Sequence, residues 1–163
     1  GGAGTTYLFN EIKEGSEITL RGPVGVFTLH EENYEKNLFL ICTGTGIAPF
    51  RSMANYIKEQ SIVHKDIYLL FGCRTKEDLL YFDELKALSD GMPNFHYIPT
   101  LSRENWEGAH GYVHDIYEKI CTANGNAPAS FFLCGWKAMI DEAKQRIQAL
   151  GYDRKSIHQE LYG

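Results

Sequence analysis

Leu38-Phe39-Leu40-Ile41-Cys42 runs directly into Thr43-Gly44-Thr45-Gly46-Ile47-Ala48-Pro49, and this junction decides the fold. Five consecutive apolar residues read as a strand buried on both faces, and the glycines that follow read as a turn whose backbone amides can approach a phosphate. Ile47, Phe50, Ala54 and Ile57 then recur at helical spacing. Pro49 falls in the first helical turn, where its missing N–H breaks no hydrogen bond. A helix N-terminus behind a glycine turn offers unpaired amides and a positive dipole end to an anion, which points to a dinucleotide pyrophosphate. The spacing is not the G-x-G-x-x-G of ordinary Rossmann domains, so on these residues alone a plain strand-to-helix corner stays open.

Working outward, the apolar runs Ile67 to Phe71, Phe95 to Pro99 and Phe131 to Cys134 are further strands with helical patterns between them. This alternation predicts βαβ units and a doubly wound parallel sheet of five strands covered on both faces. The last helical pattern places Trp136, Met139, Ile140, Ala143, Ile147 and Leu150 on one face, with Gly151 as its C-terminal cap. On that periodicity Trp136 and Met139 belong to the core. Residues before Leu38 read differently: Thr5 to Ile12 as a short helix, Glu17 to Leu20 as a strand, Arg21 to Phe27 as turn-rich, and His30 to Asn37 as a linker.

The chain has 163 residues, 44% of them hydrophobic, enough for one good core. A net charge of −5 without a basic stripe argues against nucleic acid as the main partner. No apolar run is long enough for a membrane span, and the expectation is a soluble, cytoplasmic protein. Cys42, Cys73, Cys121 and Cys134 are scattered without metal-ligand spacing, so they are expected to be reduced and mostly buried, with no metal site. The start at Gly1-Gly2 without methionine suggests a processed product or a fragment. No G-x-S-x-G elbow is present, which removes an α/β-hydrolase.

Three later stretches sharpen the first. Phe71-Gly72-Cys73-Arg74 precedes Asp78-Leu79-Leu80-Tyr81-Phe82-Asp83-Glu84-Leu85; Leu101-Ser102-Arg103 follows the third strand; Phe132-Leu133-Cys134-Gly135 ends the fourth, and the chain closes Glu160-Leu161-Tyr162-Gly163. In this order, together with Gly44 to Pro49 and Gly22-Pro23-Val24-Gly25, they resemble the ferredoxin:NADP reductase superfamily of flavoenzymes, which includes flavodoxin reductases and oxygenase reductase components. The resemblance implies an NAD(P)-binding domain over residues 31–163 and, over 1–30, only the tail of a β-barrel FAD domain. Gly4 and Thr5 look like the segment near the flavin phosphates. The family's Arg-x-Tyr-Ser flavin motif occurs nowhere in the sequence.

The resemblance further implies roles for individual residues. Thr45 and Gly46 would contact the pyrophosphate, and Thr43, Gly44, Pro49, Gly135 and Met139 would belong to the same cofactor-binding set. Ser102 and Arg103 would take an adenosine 2'-phosphate, a hydroxyl beside a guanidinium suiting a phosphate dianion. Tyr112 would stack on the adenine, whereas His110 stands where a Lys is expected. Glu104 and Glu107 suit a free ribose diol better, so both NADP and NAD remain open, with the balance toward NADPH. Arg74 either lines the nucleotide crevice or pairs with Asp78. Cys134 and Glu160 would flank the nicotinamide C4 and Tyr162 would cover the flavin of the complete enzyme, for hydride transfer to FAD and onward electron transfer to a ferredoxin, a flavodoxin or an oxygenase. The alternative is a nucleotide-binding or regulatory module without flavin.

Overall fold

The computed structural model describes residues 2–22 and 24–162. Its centre is one parallel sheet in the order β4-β3-β2-β1-β5-β6, built from β1 (Asn37–Thr43), β2 (Ile67–Cys73), β3 (Phe95–Leu101), β4 (Ala109–His110), β5 (Ala129–Gly135) and β6 (Ile157–Leu161). The four apolar runs are thus β1, β2, β3 and β5, each extended by a residue or more. Two edge strands without an apolar run join these four, so the sheet has six strands against the five expected. β4 is two residues long, and β6 reads Ile-His-Gln-Glu-Leu.

Central strands are largely apolar because both faces are covered. Leu38, Leu40, Cys42, Leu69, Phe71, Phe132 and Cys134 point into one core with Ile47, Phe50, Ala54 and Ile57 of α3 (Ile47–Glu59) and Leu85 and Leu88 of α4 (Phe82–Gly91). Phe39, Ile41, Leu70, Phe131 and Leu133 point into the other, against Val113, Tyr117 and Cys121 of α5 (Val113–Ala123) and Ile140, Ala143 and Ile147 of α6 (Lys137–Ala149). Gly151, at φ +95°, ends α6 as expected.

The N-terminal readings fare less evenly. A helix forms at Ala3–Asn10, with all its residues exposed. Residues 17–20 form no strand: among the described residues nothing pairs with them, and Leu20 is 87% exposed. The Gly22 to Phe27 stretch includes position 23, which lies outside the described residues; its end is anchored, with the Phe27 ring 5.4 Å from Phe132 and 5.9 Å from Phe50. The supposed linker contains a helical turn, Glu31–Tyr34. The His30 N–H donates to Asn33 Oδ1 at 2.8 Å, and the buried Asn33 amide reaches Ser130 Oγ at 3.3 Å, so this segment is fastened to β5. A long-range hydrogen bond of this kind leaves no trace in local polarity.

Candidate functional site

In a parallel sheet every strand ends at the same edge, and ligands gather there. Ser102 and Arg103 leave β3, Arg74 leaves β2, Gly44 leaves β1, Gly135 ends β5 and Tyr162 leaves β6. The four strand spacings from β3 to β6 span about 19 Å.

At the centre, Gly44–Gly46 forms a single 3₁₀ turn leading into α3, with Pro49 half-buried in its first turn. Gly44 has φ +54° and open space where a Cβ would stand. Gly46 is different: a Cβ there would lie 2.3 Å from the Cys134 carbonyl oxygen, so the turn is packed backbone to backbone on β5. Gly135, at φ +143°, is equally crowded, its absent Cβ falling 2.4 Å from Thr43 Oγ1 and 3.2 Å from Met139 Cε. These two glycines close the ends of β1 and β5 together. Thr43 Oγ1 is buried there without a hydrogen-bond partner, a polar atom at the cleft that a ligand could satisfy.

Between these strand ends opens a cleft of about 570 Å³ lined by Thr43, Gly44, Thr45, Trp136 and Tyr162. Glu160 stands opposite Cys134 in the β5–β6 register. The Tyr162 N–H donates to the Gly135 carbonyl at 3.2 Å, which holds the tail on the cleft wall. Burial pushes the Cys134 thiol up to about 12, and the Glu160 carboxylate adds to the shift. Burial also raises the Tyr162 phenol, with Glu160 and Cys134 contributing. Gly163 lies outside the described residues.

Further along the edge, the Ser102 N–H and Oγ–H both donate to the Cys73 carbonyl, at 3.0 and 3.2 Å, and the Arg103 N–H donates to the Arg74 carbonyl at 3.0 Å. The two arginines are therefore neighbours on adjoining strand ends. The alternative pairing of Arg74 with Asp78 does not form, because Asp78 caps its own turn, accepting the Thr75 N–H and Oγ–H, each at 3.1 Å. Among the described residues neither Arg74 nor Arg103 takes part in an ion pair. Tyr112 is 70% exposed at the start of α5, with its ring free to stack.

Gly4 and Thr5, expected near the flavin phosphates of the complete protein, are exposed on the N-terminal helix, outside the cleft lining. One residue sits elsewhere than expected. Trp136 is not core: it is 66% exposed and faces the cleft. It precedes α6 as its N-cap in extended conformation, so helical periodicity does not govern where it points. Met139 is half-buried, packed beside Gly135 and within the core cluster. No cluster of metal-ligating side chains exists among the described residues, and no helix there is long and apolar enough to cross a membrane.

Known proteins give this geometry a context. The family model for the oxidoreductase NAD-binding domain matches residues 40–145. Ferredoxin--NADP reductase B of Sorangium cellulosum is 35% identical over 99% of this chain and 68% of its own length. The xylene/toluene monooxygenase electron transfer component XylA of Pseudomonas putida is 32% identical over 99% of this chain, which spans 46% of that protein. The crystal structure of the Amycolatopsis cytochrome P450 reductase GcoB superposes with a TM-score of 0.80 at 23% identity, covering 96% of this chain and 47% of that one, and so supports the fold. The chain accordingly belongs to the oxidoreductase NAD-binding domain family, in the branch that contains the ferredoxin:NADP reductases.

Proposed function

We propose that residues 31–163 hold NADPH as the nucleotide-binding part of a flavoreductase, and that residues 1–30 are the tail of its flavin-binding barrel. The complete protein passes hydride from NADPH to FAD and electrons on to a ferredoxin, a flavodoxin or an oxygenase. The observation that carries this reading is the cleft itself, where the glycine turn after β1, Trp136 and the Tyr162 tail meet, next to the β5 and β6 ends on which the buried Cys134 faces Glu160 in register. Bound coenzyme would supply a hydride at its nicotinamide C4. The chain's own residues supply position. Turn amides and the start of α3 receive the pyrophosphate, and Thr43 Oγ1 gains the partner it lacks.

With its thiol pushed up to about 12, Cys134 stays neutral at pH 7, so it contributes shape beside the reacting carbon and is not a nucleophile. Glu160 faces Cys134 across the β5–β6 register. Tyr162 covers the cleft and moves aside when nicotinamide enters, which makes the tail a gate. Gly4 and Thr5 make no flavin cradle by themselves: they are exposed, with no atom within 4 Å of a Cβ at Gly4, and no step is derived through them. A cytoplasmic location is part of the same reading, supported by four unpaired thiols.

The choice of NADPH over NADH rests on the Arg103 and Arg74 guanidiniums and on Ser102, whose hydroxyl would turn from the Cys73 carbonyl to donate to the phosphate. Calorimetric titration with 2'-phospho-AMP and AMP tests it. The phosphorylated ligand should bind about tenfold or more tightly, from a charge-assisted contact of about 1.5 to 3 kcal/mol, and Arg103→Ala should remove most of the difference. Equal affinities would assign the site to NADH.

A further inference from the structure

The loop after β3 places two carboxylates, Glu104 and Glu107, beside the Ser102–Arg103 pair. Left free, they would compete for the guanidinium and repel a phosphate dianion. Both are taken up by one residue. The Glu104 carboxylate accepts the backbone N–H of Lys76 at 2.9 Å, and the Glu107 carboxylate accepts from Lys76 Nζ, also at 2.9 Å. The same ammonium lies 6.0 Å from the Trp106 ring centroid.

Both partners in this contact are held by their surroundings. Trp106 Nε1–H donates to the Ala109 carbonyl at 2.6 Å, and the ring meets Phe82 edge-on at 6.3 Å. It also covers Gly108 so closely that a Cβ there would come within 2.3 Å of the ring. Lys76 opens the 3₁₀ turn Lys76–Asp78, which Asp78 caps through Thr75.

We infer that Lys76 is a positioning residue for coenzyme choice: it straps the loop so that Glu104 and Glu107 face away from Ser102 and Arg103, leaving that pair to a 2'-phosphate. The inference rests on the NADPH reading above. Of the two holds, the one on Glu104 uses the main chain and survives substitution; the one on Glu107 depends on the ammonium. A change at Lys76 therefore frees one carboxylate and leaves the other in place.

The test is calorimetric titration of the whole chain with 2'-phospho-AMP and with AMP, in the parent, Lys76→Met, Glu107→Gln and the double variant. Lys76 is exposed, so circular dichroism is expected to show the parent fold in each. Lys76→Met should lower the preference for 2'-phospho-AMP by about three- to fivefold, the scale of an exposed charge contact, with AMP affinity unchanged. Glu107→Gln should keep the preference, and the double variant should restore it. Retained preference in Lys76→Met would overturn the inference and leave the NADPH reading intact. Loss in Lys76→Met without rescue by Glu107→Gln would also overturn it, because Lys76 would then touch the phosphate itself. A parent without preference would overturn both.

Discussion

Gly46→Ala puts a methyl group where the turn after β1 rests on β5. The new Cβ would stand 2.3 Å from the Cys134 oxygen, 2.6 Å from its carbonyl carbon and 2.9 Å from the Gly135 nitrogen. Ordinary contact begins at 3.4 Å, so turn and strand must part by about 1 Å. All three obstacles are main chain, and none can swing aside as a side chain would. Overpacking of this kind costs about 1 to 3 kcal/mol, and the rigid backbone places this case in the upper half. For a chain of this size each kcal/mol lowers Tm by about 2 to 4 °C. Gly44→Ala is the control: it meets no atom, and the cost of its φ of +54° is about 1 to 2 kcal/mol. Thermal unfolding should rank Gly46→Ala below Gly44→Ala. On the proposed reading, parting the walls should also weaken NADP+ binding at the nicotinamide end, while 2'-phospho-AMP, which would sit at the ends of β2 and β3, should bind as in the parent. A Gly46→Ala variant as stable as the parent, with parental NADP+ affinity, would refute the packing argument.

Tyr162→Ser removes the ring from the cleft, so in the complete enzyme nucleotide should bind more tightly, discrimination between NADPH and NADH should fall, and turnover should slow with product release; equilibrium dialysis and steady-state kinetics read these, and unchanged values would make Tyr162 an ordinary tail residue. The buried Cys134 thiol gives stability a pH dependence. Burial holds it at about 12 in the folded chain, above the ordinary value of a free thiol. The stabilisation is fully present below pH 9 and is lost as pH rises toward 12, because only the unfolded chain releases the proton there, at up to about 1.4 kcal/mol per pH unit. Urea titrations from pH 8 to 11 should show this fall, and Cys134→Ala should make it shallower.

The legible parts of this sequence were those whose environment is simple. Strands β1, β2 and β5 lie at the middle of the sheet, so burial on two faces writes an unbroken apolar run, whereas β3 buries Phe95 and Tyr97 on one face and leaves His96 and Ile98 half-buried on the other. At the edge that signal disappears. β6 has Ile157, His158 and Glu160 half-buried and Gln159 and Leu161 exposed, and its His158 stacks on Phe132 at 4.4 Å, a contact that no period-two pattern announces. Glu17 to Leu20 fails in the opposite way: alternation was present, but a strand needs a neighbour. The site was readable where one glycine turn or one strand end defines it. Trp136 was not, since it stands one residue outside the helix whose period was used to place it, and the Lys76 strap was not, since it joins two loops from different strand ends.

Of all the pairings in the sheet, β1 with β5 joins the residues farthest apart in the chain, Asn37 facing Ala129. The cleft is made by that same seam, so it does not exist until the intervening strands and helices have been laid down and the chain has returned to its starting strand. Long-range parallel pairing of this sort closes slowly. On the proposed reading, coenzyme would touch both sides of the seam, bind only the closed form and by mass action hold it shut. A chain that had not completed its sheet would then have nothing with which to bind nucleotide, and folding and coenzyme binding would be read out together.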